Sequence, residues 1–159
     1  MIEKLKVLQR VKEKREFAAL KMMRAKKNEL QEIKRVKAEN ERSFLESKQE
    51  LPVREDGIYE HILNKVVNLE QLDIVGERVS DLHLRHRKTE ENLDQSTRKQ
   101  EEVTKETATA MHVYQKAQQN REKYDAMISD REIEIARVLE RDEEARVEDV
   151  AAFRKSEYV

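Results

Sequence analysis

In the second half of the chain, apolar residues recur at alternating steps of three and four positions. The pattern runs as a heptad from Leu69 to Val138 without a proline. A sustained period of about 3.5 residues predicts one long helix with a left-handed coiled-coil seam. The predicted seam positions are Leu69, Leu72, Gly76, Val79, Leu82, His86, Thr89, Leu93, Ser96, Gln100, Val103, Thr107, Ala110, Tyr114, Ala117, Arg121, Tyr124, Ile128, Arg131, Ile135 and Val138, after which the pattern fades.

The first part of the chain shows a different spacing. From Ile2 to about Glu50, apolar residues are separated by 11 positions. This repeat corresponds to about 3.67 residues per turn and predicts a nearly straight helix. A parallel column of basic residues would flank the apolar stripe with its charges in water. The apolar residues are Leu8, Ala19 and Leu30, and then Val11, Met22, Ile33 and Phe44; the basic column is Arg15, Lys26, Lys37 and Lys48.

Between the two patterns lies the segment LPVREDG, residues 51–57, which contains the only proline and one of the two glycines. Pro52 lacks an amide donor and disfavours the helical conformation of the residue before it, so the first helix is expected to end near Glu50. Asp56 can cap a new helix. We therefore predict an all-α fold: a single elongated antiparallel coiled-coil hairpin over residues 1–159, with helices at about 2–50 and 57–154.

A turn centred near Arg54 leaves the second helix much longer than the first. Met1 would lie opposite roughly Thr107, so the last 50 or so residues would overhang, bend back or pair with another chain. Residues 1–27 carry ten Lys or Arg against three Glu, and residues 130–159 carry ten acidic against six basic residues. These opposite charges would suit a second helix that bends back. A bend is expected in the polar stretch between Asn92 and Thr109.

Near the predicted turn there are more apolar residues than one seam can bury. Ile58–Leu84 is apolar on more than one face, and Tyr59, Leu63, Val66, Val67 and Ile74 cannot all face the first helix. Clustered exposed apolar residues mark either a partner site or a self-association surface. Elsewhere the seam contains many polar residues, which predicts marginal stability and a capacity to exchange partners.

Composition narrows the possible functions. The chain is 42% charged and 4% aromatic, has no cysteine and carries a net charge of −1. This composition suits long helices rather than a round core and gives no overall bias toward nucleic acid. No apolar run approaches the roughly 20 residues of a membrane span, and the N-terminus lacks a signal-peptide pattern. We expect a soluble cytoplasmic protein without membrane insertion.

Catalytic and metal-binding patterns are weak. His83 and His86 with Glu90 form the only metal-like spacing, and structural zinc sites usually need four ligands. The sequence holds no phosphate-binding glycine loop and no arrangement that suggests a catalytic triad. We therefore expect neither an enzyme nor a cofactor.

Two segments resemble a known family. The order of features, with GIYEHILNKVVNLEQL at 57–72 and REKYDAMISDREIEIARVLERDEEARVEDVAAF at 121–153, is similar to the YscO/FliJ family of type III secretion stalk proteins, particularly its YscO branch. The resemblance spans essentially the whole chain. It implies a cytoplasmic hairpin at the secretion apparatus of the bacterial inner membrane. Its implied partners are the hexameric secretion ATPase, the cytoplasmic domain of the export gate, and secretion chaperones.

The resemblance also implies positions for these contacts. The end bearing the chain termini would enter the ATPase pore, and the apolar face near the turn would meet the gate. Where the flagellar branch continues that face with a histidine, this chain has Asp73, so flagellar gate binding does not carry over there. ATPase-binding candidates are Lys4, Lys6, Arg10, Lys12, Lys14 and Arg15, and gate or partner candidates are Phe44, Leu45, Tyr59, Ile62, Leu63, Val66, Leu69 and Ile74.

Together these observations favour a stalk and adaptor protein of type III secretion. The alternative is a purely structural, parallel homodimeric coiled-coil spacer, which the polar seam and the mid-chain turn disfavour. A nucleic-acid-associated helical protein would need a basic face that extends beyond residues 1–27.

Overall fold

The computed structural model describes residues 1–158 and contains two long helices. Helix α1 spans Ile2–Glu60 and helix α2 spans Leu69–Glu157, with 59 and 89 residues. No strand is present in residues 1–158. The predicted all-α class, with two antiparallel helices and the second one longer, is confirmed. None of the helices described is both long and apolar enough to cross a bilayer.

The turn between the helices is built on two asparagines. Asn64 adopts a left-handed conformation with φ of 59°, which Asn tolerates better than most residues and which ends the helical hydrogen bonding. Asn68 caps α2: its side-chain oxygen accepts a hydrogen bond from the amide of Gln71 at 2.8 Å, and its own amide donates to the Gln71 side chain at 3.1 Å. This reciprocal capping box fixes the start of α2.

The predicted turn at residues 51–57 is wrong, because α1 continues through Pro52 and Gly57 to Glu60. Pro52 lies on the exposed side of α1, where water can hydrogen-bond the carbonyl that loses its helical partner. The neighbouring residues Leu51 and Ile58 are half-buried on the inner side. Their packing favours a helix, so tertiary contact overrides the local proline signal.

The chain divides into two compact units, each made of both helices. The turn unit comprises Met23–Ala110, and the terminal unit comprises Met1–Met22 together with α2 from Met111 onward. In the turn unit, Glu55 faces His83 and Lys26 faces Glu106. In the terminal unit, Lys6 faces Glu132 and Glu16 faces Arg121. In both units residue numbers rise along one helix as they fall along the facing one, which is the antiparallel arrangement.

The core is narrow in both units. In the turn unit Val103 is fully buried, and Val75, Ala110, Ser96 and Thr107 are each less than a tenth exposed. The two polar members are satisfied: the Ser96 hydroxyl donates to the carbonyl of Asn92 at 2.6 Å, and the Thr107 hydroxyl donates to that of Val103 at 2.7 Å. Ile128 is the buried apolar residue of the terminal unit. The predicted polar, sparsely apolar seam is present.

The predicted α2 seam is confirmed over most of its length. All its positions from Val79 to Arg131 are buried or half-buried. Its start is wrong, because Leu69 is 80% exposed and Val75, rather than Gly76, is buried. Its end is also wrong, because Ile135 and Val138 are exposed beyond the level where Lys6 meets Glu132.

The 11-residue pattern predicted for α1 describes its inner face only in part, with Ala19, Leu30, Ile33 and Phe44 half-buried. Leu8, Val11 and Met22 are exposed. The less exposed positions instead follow a heptad that includes many polar residues, and an antiparallel partner with its own heptad selects such a seam. These positions include Ile2, Leu5, Gln9, Lys12, Glu16, Met23, Lys26, Leu30, Ile33, Lys37, Asn40, Phe44 and Ser47.

Candidate functional site

A polar network holds the two helices of the terminal unit in register. Arg121 donates to both Glu16 and Asp125, the latter at 2.5 Å, and the Gln9 side-chain amide donates to Asp125 at 2.5 Å. The hydrogen bond to Glu16, with a smaller charge contribution from Asp125, raises the pKa of Arg121. Arg121 lies on the predicted seam, but the sequence analysis did not indicate its partner Glu16, nor Gln9, which donates to Asp125. Their heptad spacing with Leu5 and Lys12 was the available signal.

The six basic ATPase-binding candidates do not share one environment. Lys12 is half-buried, with its ammonium 5.5 Å from the centre of the Tyr124 ring, a cation–π geometry. Lys6 forms an ion pair with Glu132 at 3.3 Å. Both side chains therefore contact α2. The remaining candidates are exposed and form no ion pair with residues 1–158; they are Lys4, Arg10, Lys14 and Arg15, defined here as the basic surface.

The apolar candidates near the turn are mostly exposed. Val66 is fully exposed and Leu69 is 80% exposed, on either side of the Asn68 cap. Ile62 and Val67 are half-buried, so some of the apolar residues near the turn pack inside and the others lie on the surface. We define the turn surface as the exposed gate candidates Tyr59, Leu63, Val66, Leu69 and Ile74.

The candidates in the middle of α1 separate in the same way. Phe44 is half-buried and its ring stacks on that of His86, with centroids 5.4 Å apart. Leu45 is 54% exposed. Phe44 therefore contributes to the seam of the turn unit, whereas Leu45 is accessible to a partner.

The two histidines with metal-like spacing face different neighbours. His86 Nδ1 lies 2.8 Å from the Ser47 hydroxyl, while His83 Nε2 lies 3.4 Å from a carboxylate oxygen of Glu55. In the part of the chain that the structure describes, no three His, Asp or Glu residues are arranged to hold a metal ion. Both histidines connect α2 to α1 within the turn unit.

A basic groove next to the turn surface was not predicted. Arg54, Arg78 and Arg85 line a groove of about 510 Å³ with Asp81 as its acidic member and Leu82 among its apolar ones. The arginines come from both helices. Their convergence cannot be predicted from periodicity, because charged residues outside a seam carry no periodic signal. The groove places positive charge in the same unit as the turn surface.

An ion pair on the seam also connects the helices of the turn unit. The Lys26 ammonium donates to Glu106 at 2.6 Å and to Glu29 at 3.2 Å, and the Lys26 carbonyl accepts the Thr107 hydroxyl at 3.3 Å. The hydrogen bond from Lys26 lowers the pKa of Glu106, and the reciprocal bond raises the pKa of Lys26. Two of these contacts join α1 to α2 at one level.

Glu106→Gln should lower the free energy of unfolding at neutral pH but have no such effect in acid. Because the pKa of Glu106 is lowered by folding, its contribution is present above the unfolded-state pKa and disappears as the pH falls through the folded-state pKa. The effect is reduced by solvent, since the Glu106 side chain is 39% exposed. Urea unfolding at pH about 7 and about 3 would measure it. An equal loss for exposed Glu101→Gln at neutral pH would contradict the interhelical role.

The comparison with protein families agrees with this architecture. The family model described as Type III secretion protein YscO matches residues 5–153, nearly the whole chain. The match includes both helices, the turn and most of the basic surface. No curated protein and no solved structure matches the chain. The chain therefore belongs to the YscO family of type III secretion proteins.

Proposed function

We propose that this type III secretion protein is a cytoplasmic stalk and adaptor that connects the hexameric secretion ATPase to the export gate. It acts by binding rather than by catalysis. The observation that carries the proposal is the family match over two antiparallel helices whose N-terminal part bears an exposed basic surface. By binding the assembled ATPase more tightly than its separate subunits, the protein shifts the equilibrium toward the active ring.

The basic surface is the proposed ATPase contact. Arg10 and Lys14 are one helical turn apart, and exposed charges of one sign attract an acidic pore and orient the approaching helix. Lys6 and Lys12 have a different role, since their contacts with Glu132 and Tyr124 hold α1 against α2. The proposed ATPase contact therefore rests on four of the six basic candidates, with the other two maintaining the helix pair.

The turn surface is the proposed contact with the export gate. Val66 and Leu69 are among the most exposed large apolar side chains of the described chain. Burying such side chains stabilises a complex by about 25 cal/mol for each Å² removed from water. Leu45 is a further exposed candidate, whereas Phe44 and Ile62 are half-buried. Secretion chaperones, as further partners, would be bound or recycled on the remaining exposed faces.

The alternative homodimeric spacer has less structural support. A parallel homodimer of this kind would use the seam of each helix to face its copy. Within each unit, however, α1 and α2 already face each other through contacts such as Arg121 with Glu16 and Asn40 with Ser96 at 2.8 Å. The seam is thus occupied by the chain itself.

Two variants test the ATPase and gate contacts separately. Reversing Arg10, Lys14 and Arg15 to Glu should reduce stimulation of ATP hydrolysis at least about tenfold, because complementary charges at an interface become like charges. Replacing Val66 and Leu69 with Gln should leave this stimulation unchanged and weaken binding to the gate's cytoplasmic domain about tenfold or more. ATPase assays and gate pull-downs on the same preparations give both readouts.

The control for the basic variant carries the same change in net charge elsewhere on α1. Lys34, Arg42 and Lys48 are exposed and form no ion pair with residues 1–158. Their reversal to Glu should leave ATPase stimulation within about twofold of the unaltered protein, measured at matched salt because surface charges are screened. Equal losses in both charge variants, or full stimulation by the basic variant, would contradict the assignment of the basic surface.

A further inference from the structure

The last part of α2 has no partner within the described chain. Every side chain from Ile133 to Tyr158 is exposed, although the segment is helical up to Glu157. Lys6 contacts Glu132, but its neighbouring basic residues reach no acidic residue of this segment. A helix of this length with apolar residues is rarely left uncovered unless another molecule binds it.

Four of the apolar residues of this segment share one stripe, whereas Ile133, Val138, Val147 and Tyr158 lie outside it. At 3.6 residues per turn, Ile135, Leu139, Arg146, Val150 and Phe153 fall within an arc of about 60°. Leu139, Val150 and Phe153 are 59%, 56% and 66% exposed. The spacing of the stripe is that of a short coiled-coil seam with one charged position near its middle.

The stripe is complementary to itself when two copies run antiparallel. If the segments cross at residue 144, Ile135 of one copy lies opposite Phe153 of the other, and Leu139 lies within one residue of the level of Val150. The same alignment places Arg146 opposite Asp142 and Glu143, which flank the stripe. A two-fold axis repeats each contact, so two apolar clusters enclose two sets of ion pairs.

A parallel alignment of the same segments lacks this complementarity. It would place each Arg146 against Arg146 of the other copy, and like charges on a seam are destabilising. It would also pair Asp142 with Asp142 beside the seam. The charge pattern therefore complements a second copy of this chain in the antiparallel direction and disfavours the parallel one.

We propose that residues 133–158 form an antiparallel, two-fold symmetric dimerisation surface between two copies of this chain. The paired segments span about 39 Å, or roughly seven helical turns in each copy. Few apolar residues and exposed ion pairs make the dimer reversible, with dissociation at about micromolar concentrations or above. The proposal is argued without the ATPase or gate contacts, and it describes the free protein: residues 133–158 follow directly on the level where Lys6 meets Glu132, so a chain held inside the ATPase ring would not be in this dimer.

Charge variants of the full-length chain test the pairing. Asp142→Arg with Glu143→Arg makes the central positions basic, and Arg146→Glu makes them acidic. Each variant alone should dimerise at least about tenfold more weakly than the unaltered chain, because like charges then meet. An equimolar mixture of the two should recover dimers, since the basic copy complements the acidic one. Sedimentation velocity over a concentration series measures the dimer fraction, with circular dichroism as the check on folding.

The matched control is Arg137→Glu, which makes the same charge change on the opposite side of the helix. It should leave the dimer fraction within about twofold of the unaltered chain. A monomer at every concentration, or variants that dimerise as well as the control, would overturn the proposal and assign the stripe to a different partner. Failure of this test would leave the ATPase result unaffected, so the two ideas are tested separately.

Disulfide trapping tests the direction, because the chain contains no cysteine. Leu139→Cys and Val150→Cys variants should cross-link efficiently only when mixed, since the antiparallel dimer places position 139 of one copy beside position 150 of the other. Efficient cross-linking of either variant with itself would show a parallel alignment and overturn the proposed geometry.

Discussion

Val103→Asp should lower the free energy of unfolding by about 4 kcal/mol. Val103 is the one fully buried side chain of the described chain and lies on α2 in the turn unit. The substitution removes its apolar contacts and places a carboxylate where water is excluded, so the acid must either remain charged without a partner or take up a proton. Because the seam has so few other buried apolar residues, their packing cannot offset this loss of stability.

Urea unfolding followed by circular dichroism would measure the change. The matched control is Val113→Asp, because Val113 lies on the same helix but is 51% exposed. The control should change the free energy of unfolding by no more than about 0.5 kcal/mol. If the two variants were equally stable, the pairing of α1 with α2 through Val103 would be wrong.

Pro52→Ala should stabilise the protein by roughly 2 kcal/mol. A proline inside a helix costs about 3 kcal/mol relative to alanine, because it lacks the amide donor and its ring crowds the preceding turn. Part of this gain is offset, since alanine gives the unfolded chain more freedom by up to about 1 kcal/mol. The substitution requires no repacking, because Pro52 is exposed.

The same substitution distinguishes a continuous helix from a turn at residues 51–57. If Pro52 were part of a turn, alanine would remove a favourable restriction and lower the stability instead. Val53→Ala is the control, since Val53 is 72% exposed and adjacent; its effect should stay within about 0.5 kcal/mol. A fall in the melting temperature for Pro52→Ala alone would contradict the helix that ends at Glu60.

The fold class could be predicted because periodicity is a property of the whole sequence. The α2 seam was assigned correctly from Val79 to Arg131, including its polar positions, because a heptad sustained over many turns outweighs individual residues. The position of the turn could not be predicted in the same way. Pro52 and Gly57 are strong local signals for a turn. The actual turn depends on the left-handed backbone of Asn64 and on the Asn68 cap of α2, which single residues in a sequence do not reveal.

The position of the turn also sets which residues of the two helices face each other. With the turn at residues 61–68, Lys6 meets Glu132, whereas the predicted turn placed Met1 opposite Thr107. The part of α2 beyond α1 is therefore about half as long as expected. The inner face of α1 could not be predicted either, because it depends on which residues of α2 face it. Gln9 and Glu16 belong to the seam only because Asp125 and Arg121 lie opposite them.

The sequence predicts which groups of residues form the candidate surfaces, but not which members of each group are exposed. Counting charges identifies the basic N-terminal region, but only the helix pairing shows that Lys6 and Lys12 contact α2 while Arg10 and Lys14 remain exposed. The sequence also indicates correctly that more apolar residues lie near the turn than one seam can bury. Which of them are buried depends on where α1 ends.

ATP hydrolysis by the secretion ATPase, with and without this protein at matched salt, tests the proposed stalk function most directly. We expect stimulation that saturates near one chain per hexamer, as for a stalk held inside a ring. Absence of stimulation, together with absence of co-migration on a sizing column, would contradict the ATPase role and leave an adaptor or structural role within type III secretion.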